Sequence, residues 1–138
     1  MNKKTTLSEK YSLCLKLTER IEVAVKYLRA QKDVDTESGR IFMPVTTARY
    51  IIYTQAEMFP GYMMIWDPAC CDDETVRWFG CRVNFVWALP RKVTVEFVQK
   101  IEPRVFRQNN GMYVKIPGNR QRICIDIPIP EELQKWPE

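Results

Sequence analysis

The chain has 138 residues, 46% of them hydrophobic, and a formal charge of +4. That length suits one domain around one core, so residues 1–138 are expected to form a single domain, and the apolar content excludes a disordered chain. No apolar run approaches the roughly 18–20 residues that a membrane-spanning helix needs.

Histidine is absent. Imidazole is the commonest general base near neutral pH. Its absence excludes Ser-His-Asp and Cys-His catalysis and histidine metal ligation within one chain. The lysines of "MNKK" are not followed by an apolar stretch, which argues against a secretory leader. The five cysteines, Cys14, Cys70, Cys71, Cys81 and Cys124, cannot all pair within one chain. Reduced thiols and a cytoplasmic location are the expectation.

The first predicted element is a helix of about 25 residues. Thr6 and Glu9 have the spacing of a capping box. Leu7, Tyr11, Cys14, Ile21, Ala24, Val25 and Leu28 then recur at helical spacing. "KDVDTESG" is expected to end it as a polar loop. "GRIFMPV" reads as a short strand, and Pro44 near its end suggests a sheet edge. "TTARYIIYTQAEMFPG" carries Ala48, Ile51, Ile52, Gln55, Met58 and Phe59 at helical spacing, with Thr46 or Thr47 as the cap. The rival is a strand through "RYIIYT", since tyrosine and isoleucine favour strands. The helix is preferred.

"YMMIW" follows as a buried strand and "DPACCDDE" as an acidic loop. After Gly80, Cys81, Val83, Phe85, Trp87 and Leu89 alternate with Arg82, Asn84, Val86 and Ala88. Val76 and Trp78 stand in the opposite phase, so Gly80 marks a bulge or a turn between two strands. "KVTVEFV" alternates again. "VFRQNNGMYVKIP" reads as a hairpin turning at Asn110-Gly111, with Met112, Val114 and Ile116 on its apolar face. "RICIDIPIP" puts Ile123, Ile125, Ile127 and Ile129 on one face, and "PEELQKWPE" adds a helical turn. The predicted fold is α+β: a long N-terminal helix and a second short helix packed on one face of an antiparallel sheet of about five or six strands.

Charge is polarised along the chain. Residues 91–122 carry eight basic and two acidic side chains, a net +6, whereas residues 57–76 carry five acids and no base. Tyr113 and Lys115 must point away from the Met112 face. Tyr113 then faces Gln108 across a two-residue loop, or Arg107 across a three-residue one. Either register joins an aromatic ring to cations, the combination that phosphate-rich single strands need. The nominated nucleic-acid or anion-binding residues are Arg91, Lys92, Arg104, Arg107, Tyr113, Lys115, Arg120 and Arg122. An ordinary solvated sheet face is the competing reading, since Lys and Arg also blunt strand edges. Trp78 and Phe79 point oppositely if extended, so one of them is a candidate protein-interaction residue.

The acidic loop invites a metal. Cys70, Cys71 and Cys81 with Asp72 or Asp73 would form a mixed sulfur and oxygen site, but neither a CxxC pair nor a histidine supports it. Asp67, Asp72, Asp73 and Glu74 would suit Mg²⁺, but three successive acids more often form a solvated loop. No glycine pattern of a phosphate-binding loop occurs. The expectation is therefore a non-enzymatic binding protein without metal, cofactor or catalytic residue. Its partner would be a nucleic acid or nucleoprotein complex. One alternative is an inhibitor or adaptor of a protein target, of the kind mobile elements encode. Another is a small-ligand or metal-dependent enzyme using the acidic 67–74 loop.

Overall fold

The helical periodicity near the start produces α1, Leu7–Arg29, in the computed structural model, which describes residues 7–58, 76–87 and 91–135. Cys14, Leu17, Ile21, Ala24, Val25 and Leu28 form its buried stripe and rest on the sheet. Leu17 completes a stripe that the sequence pattern left broken. Glu9 lies in the first turn, and Lys26 and Arg29 in the last, where their charges favour the helix dipole. Thr6, the expected cap, lies outside the described residues, as do the "YMMIW" strand, the "DPACCDDE" loop, Leu89 and Trp136.

The next strand corrects the sequence reading twice. β1 spans Val34–Pro44, so most of the expected polar loop is strand. It is also central rather than an edge: with β2 (Arg77–Trp78), β3 (Cys81–Val86), β4 (Lys92–Ile101) and β7 (Asn119–Pro128), the order is β2-β3-β1-β4-β7. Pro44 is tolerated because it is the last residue of the strand, and α2 begins at once, Val45–Met58. β1 and β3 run parallel, and every other pair in this sheet is antiparallel. Parallel neighbours need a long crossover, and the route from β1 to β3 passes through α2. The fold is α+β with a mostly antiparallel sheet.

α2 is helical despite its tyrosines and isoleucines because the helix buries Val45, Ala48, Tyr50 and Ile51 together. Thr46 and Thr47 do not cap it, since the helix starts before them. Thr47 is buried instead, its hydroxyl donating to the Leu133 carbonyl at 3.5 Å. The Tyr50 hydroxyl donates to the Lys135 carbonyl at 2.5 Å. Both bonds hold the chain end, where a 3₁₀ turn at Glu131–Leu133 buries Leu133.

The core lies between the helices and one sheet face. Ile41, Met43, Cys81, Val83, Val93, Val95 and Phe97 are each fully buried there. Burying a side chain such as Phe97 contributes roughly 2–3 kcal/mol. Strand alternation turns the intervening residues to the opposite face. Trp87 departs from its expected core phase: β3 ends at Val86, and the Trp87 ring is 73% exposed.

Between β4 and β7 the chain leaves the sheet as a two-stranded ribbon, β5 (Arg104–Arg107) and β6 (Tyr113–Ile116). Gln108 and Met112 close a three-residue loop through a 2.7 Å bond, and Gly111 takes φ +83°. That positive φ is why glycine follows the asparagines. The ribbon makes no extensive contact with the other described elements.

Candidate anion-binding face

The face of the sheet away from the helices carries a row of arginines. It begins with the β2–β3 hairpin. Phe79 and Gly80 form its two-residue turn with φ +53° and +77°, both left-handed, as the tightest hairpin turn requires. A bulky residue rarely adopts this conformation. Arg29, from the end of α1, anchors it by donating to the Phe79 carbonyl at 3.0 Å. The turn sets Arg77 directly opposite Arg82.

β1 supplies the next member through a bulge. Asp35 pairs with Val98, but Arg40 pairs with Glu96, so three extra residues are accommodated in β1. The odd number puts Arg40 on the same face as Asp35 and turns Ile41 and Met43 into the core. Ser38 holds the bulge: its hydroxyl donates to the Asp35 carbonyl at 2.6 Å and accepts from the Val98 amide at 2.8 Å. The Glu37 amide also donates to the Asp35 carboxylate at 3.1 Å. Gly39 is required for close approach, because a Cβ there would stand 2.6 Å from the Cys81 sulfur and 2.7 Å from the Phe97 ring.

Parallel pairing then places Arg40 beside Arg82. Arg77, Arg82 and Arg40 therefore lie in line on three neighbouring strands. Among the described residues none of the three has a carboxylate within ion-pair distance. Like charges directly opposite each other destabilise a sheet by roughly 0.2–1 kcal/mol per pair. A bound anion would offset that repulsion. With Arg120 and Arg122 of β7 the row borders a cavity of about 240 Å³, whose lining also includes Glu37 and Glu96. These five arginines and two glutamates leave the lining at +3. Glu96 is engaged by Arg122 at 3.6 Å.

The nominated basic residues fall into three groups. Arg120 and Arg122 join the row. Arg104, Arg107, Tyr113 and Lys115 lie on the ribbon, where Arg107 pairs with Tyr113, and Val105 with Lys115. This is the three-residue-loop alternative. Arg91 and Lys92 lie at the far end of β4, eight residues from Lys100, or about 27 Å at ~3.4 Å per residue. Lys92 is held there by Asp126 at 3.1 Å. Thr94 and Lys92 together keep the Asp126 carboxyl below the usual range. The positive segment is thus not one surface.

Trp78 and Phe79 are not extended, because Phe79 is in the turn. Their ring centres are 4.6 Å apart, and both rings are half-buried against the core. Neither stands free. Large apolar side chains that do stand exposed include Val105, Phe106, Met112 and Tyr113, distributed over the two faces of the ribbon.

Cys81, considered above as a metal ligand, is buried beneath the arginine row, and burial raises its thiol pKa. Cys14 is likewise buried and raised. Both behave as packing groups rather than thiolates. Cys70, Cys71, Asp67, Asp72, Asp73 and Glu74 lie outside the described residues, and among those described no cluster of metal-ligating side chains occurs.

Sequence reasoning missed Arg40, Arg77 and Arg82. "RWFGCR" contained a usable signal for two of them: a two-residue turn at Phe79-Gly80 forces Arg77 opposite Arg82. No local signal places Arg40, which depends on the bulge and on the parallel neighbour. No family model, curated protein or solved structure matches the chain. Among the described residues no helix is long and apolar enough to cross a membrane.

Proposed function

We propose that the protein binds a single-stranded nucleic acid, without chemistry, across the open sheet face. The carrying observation is the in-register row Arg77, Arg82 and Arg40, which lacks carboxylate partners among the described residues. Guanidinium groups suit phosphate because their planar donors engage two oxygens at once. Arg120 and Arg122 extend the row toward the root of the ribbon. Arg107, Lys115 and Tyr113 then offer further phosphate contacts and a stacking ring.

Fluorescence anisotropy with a labelled single-stranded oligonucleotide tests this. Affinity should fall steeply with salt, by roughly 0.7 log unit per log unit of salt for each phosphate neutralised. The triple variant Arg40→Gln, Arg77→Gln, Arg82→Gln should lose at least about tenfold in affinity and flatten that slope by about 2. Binding that ignores salt, or survives the triple change, removes the reading.

A second reading draws on the ribbon. Val105 is 59% exposed and Tyr113 70% on one face of the ribbon, and Phe106 48% on the other, so both faces offer apolar surface that suits a protein target better than a phosphate backbone. An inhibitor or adaptor of this kind would be sensitive to Phe106→Ala and indifferent to the arginine changes.

A further inference from the structure

We propose that two copies of this chain pair through the outer edge of β7, extending the sheet across a two-fold axis at Cys124. The proposal does not depend on nucleic-acid binding.

The two ends of the sheet are unlike. Among the described residues, one closes with β2, a strand of two residues. The other is β7, ten residues long, to which only β4 hydrogen-bonds among the described residues. Long unpaired edges invite another strand. Which groups are unpaired follows from one bond: the Ile129 amide donates to the Arg91 carbonyl at 2.8 Å, continuing the β4–β7 register. Odd-numbered β7 residues therefore bond to β4. Arg120, Arg122, Cys124 and Asp126 direct their backbone donors and acceptors outward.

An antiparallel copy must pair these even positions with each other. With the axis at Cys124, Arg122 falls opposite Asp126 of the second copy, twice. Ile123 falls opposite Ile125, also twice. Shifting the axis to Ile123 keeps a charge pair, Arg120 with Asp126, but sets Ile125 against Gln121. Shifting it to Arg122 opposes two arginines. The sequence around Cys124 is thus self-complementary in both charge and apolarity, as an isologous contact requires.

The flank agrees. Beside this edge α1 exposes Val23 (66%) and Tyr27 (60%) over Ile125 and Ile127, lining an apolar groove of about 520 Å³. A second copy would bring its own Val23 and Tyr27 over the paired isoleucines.

Sedimentation velocity of the full chain under reducing conditions tests the pairing. The expected mass is twice 16.4 kDa. Asp126→Arg should weaken the dimer at least tenfold, and adding Arg122→Asp should restore it by exchanging the charges. Circular dichroism checks that each variant is folded. A short bismaleimide should join two chains, and Cys124→Ser should abolish the product. A monomer at every concentration overturns the proposal and leaves the edge to a strand of another protein. A dimer indifferent to Asp126→Arg, or one not linked through Cys124, overturns it too. Because mass is read here and anisotropy above, failure of one proposal leaves the other standing.

Discussion

The two faces of the sheet come from the same strands and differ in almost everything else. On β3, Cys81 and Val83 are fully buried, while Arg82 and Asn84, which alternate with them, face the other way. On β4, Val93, Val95 and Phe97 meet the helices, while Thr94, Glu96 and Val98 do not. The helix side is apolar and closely packed, and its side chains set the fold. The open side holds ion pairs such as Lys92 with Asp126, but also three arginines in register, whose mutual repulsion works against the fold. The contrast teaches where to look for function: on the face whose side chains oppose folding slightly instead of driving it.

That contrast breaks most severely from the buried side. Phe97→Ala should lower unfolding free energy by about 3–5 kcal/mol in chemical denaturation, because the ring is fully enclosed and Gly39 and Arg29 both close on it. By comparison, the triple arginine change described above should leave stability unchanged or raise it by up to about 1 kcal/mol, as repulsion is relieved. A loss near that of Phe97→Ala would show the arginines to be structural.

Smaller effects sharpen the picture. Gly111→Ala strains a positive φ in the ribbon loop. It should cost about 1–2 kcal/mol locally. Because the ribbon barely touches the sheet, amide exchange should quicken in residues 104–116 while the global midpoint stays nearly fixed.

The smallest expected effect is acid loss of the Asp126 contacts on the open face. The Thr94 hydroxyl, first, and Lys92 lower its folded pKa. Its contribution is therefore present above the ordinary carboxyl pKa near 4 and lost as pH falls through the lower folded value. The side chains are half-exposed, so under about 1 kcal/mol is involved. In the dissociated monomer, Asp126→Asn should flatten that part of a stability–pH curve without moving the neutral-pH midpoint by more than a degree or two.

Features governed by neighbours in the chain were legible in advance. The 3.6-residue spacing of Cys14, Ile21, Val25 and Leu28 specifies α1. The phase change at Gly80 marks a bulge or a turn, of which the structure has the turn, and Asn110-Gly111 specifies the ribbon turn. The isoleucine alternation from 123 to 129 specifies the face β7 turns to the core. Tyr50 and Ile51 show local preference yielding to burial, since their strand propensity loses to a helix that packs both.

Three things were decided only when the chain closed on itself. β1 moved from an imagined edge to the middle, because both its neighbours come from later in the chain. The bulge at 36–39 exists because β4 and Ser38 hold it, and it alone turns Arg40 outward. The arginine row exists because a parallel partner brings Arg82 beside Arg40. Amino-acid order by itself determined α1, the Asn110-Gly111 turn and which residues alternate, since those depend on φ, ψ preferences and periodicity within a few residues. The partnership of β1 with β3, and with it the placing of Arg40 beside Arg82, depends on contacts across more than 40 positions. Only the free energy of burying one shared core selects among those pairings.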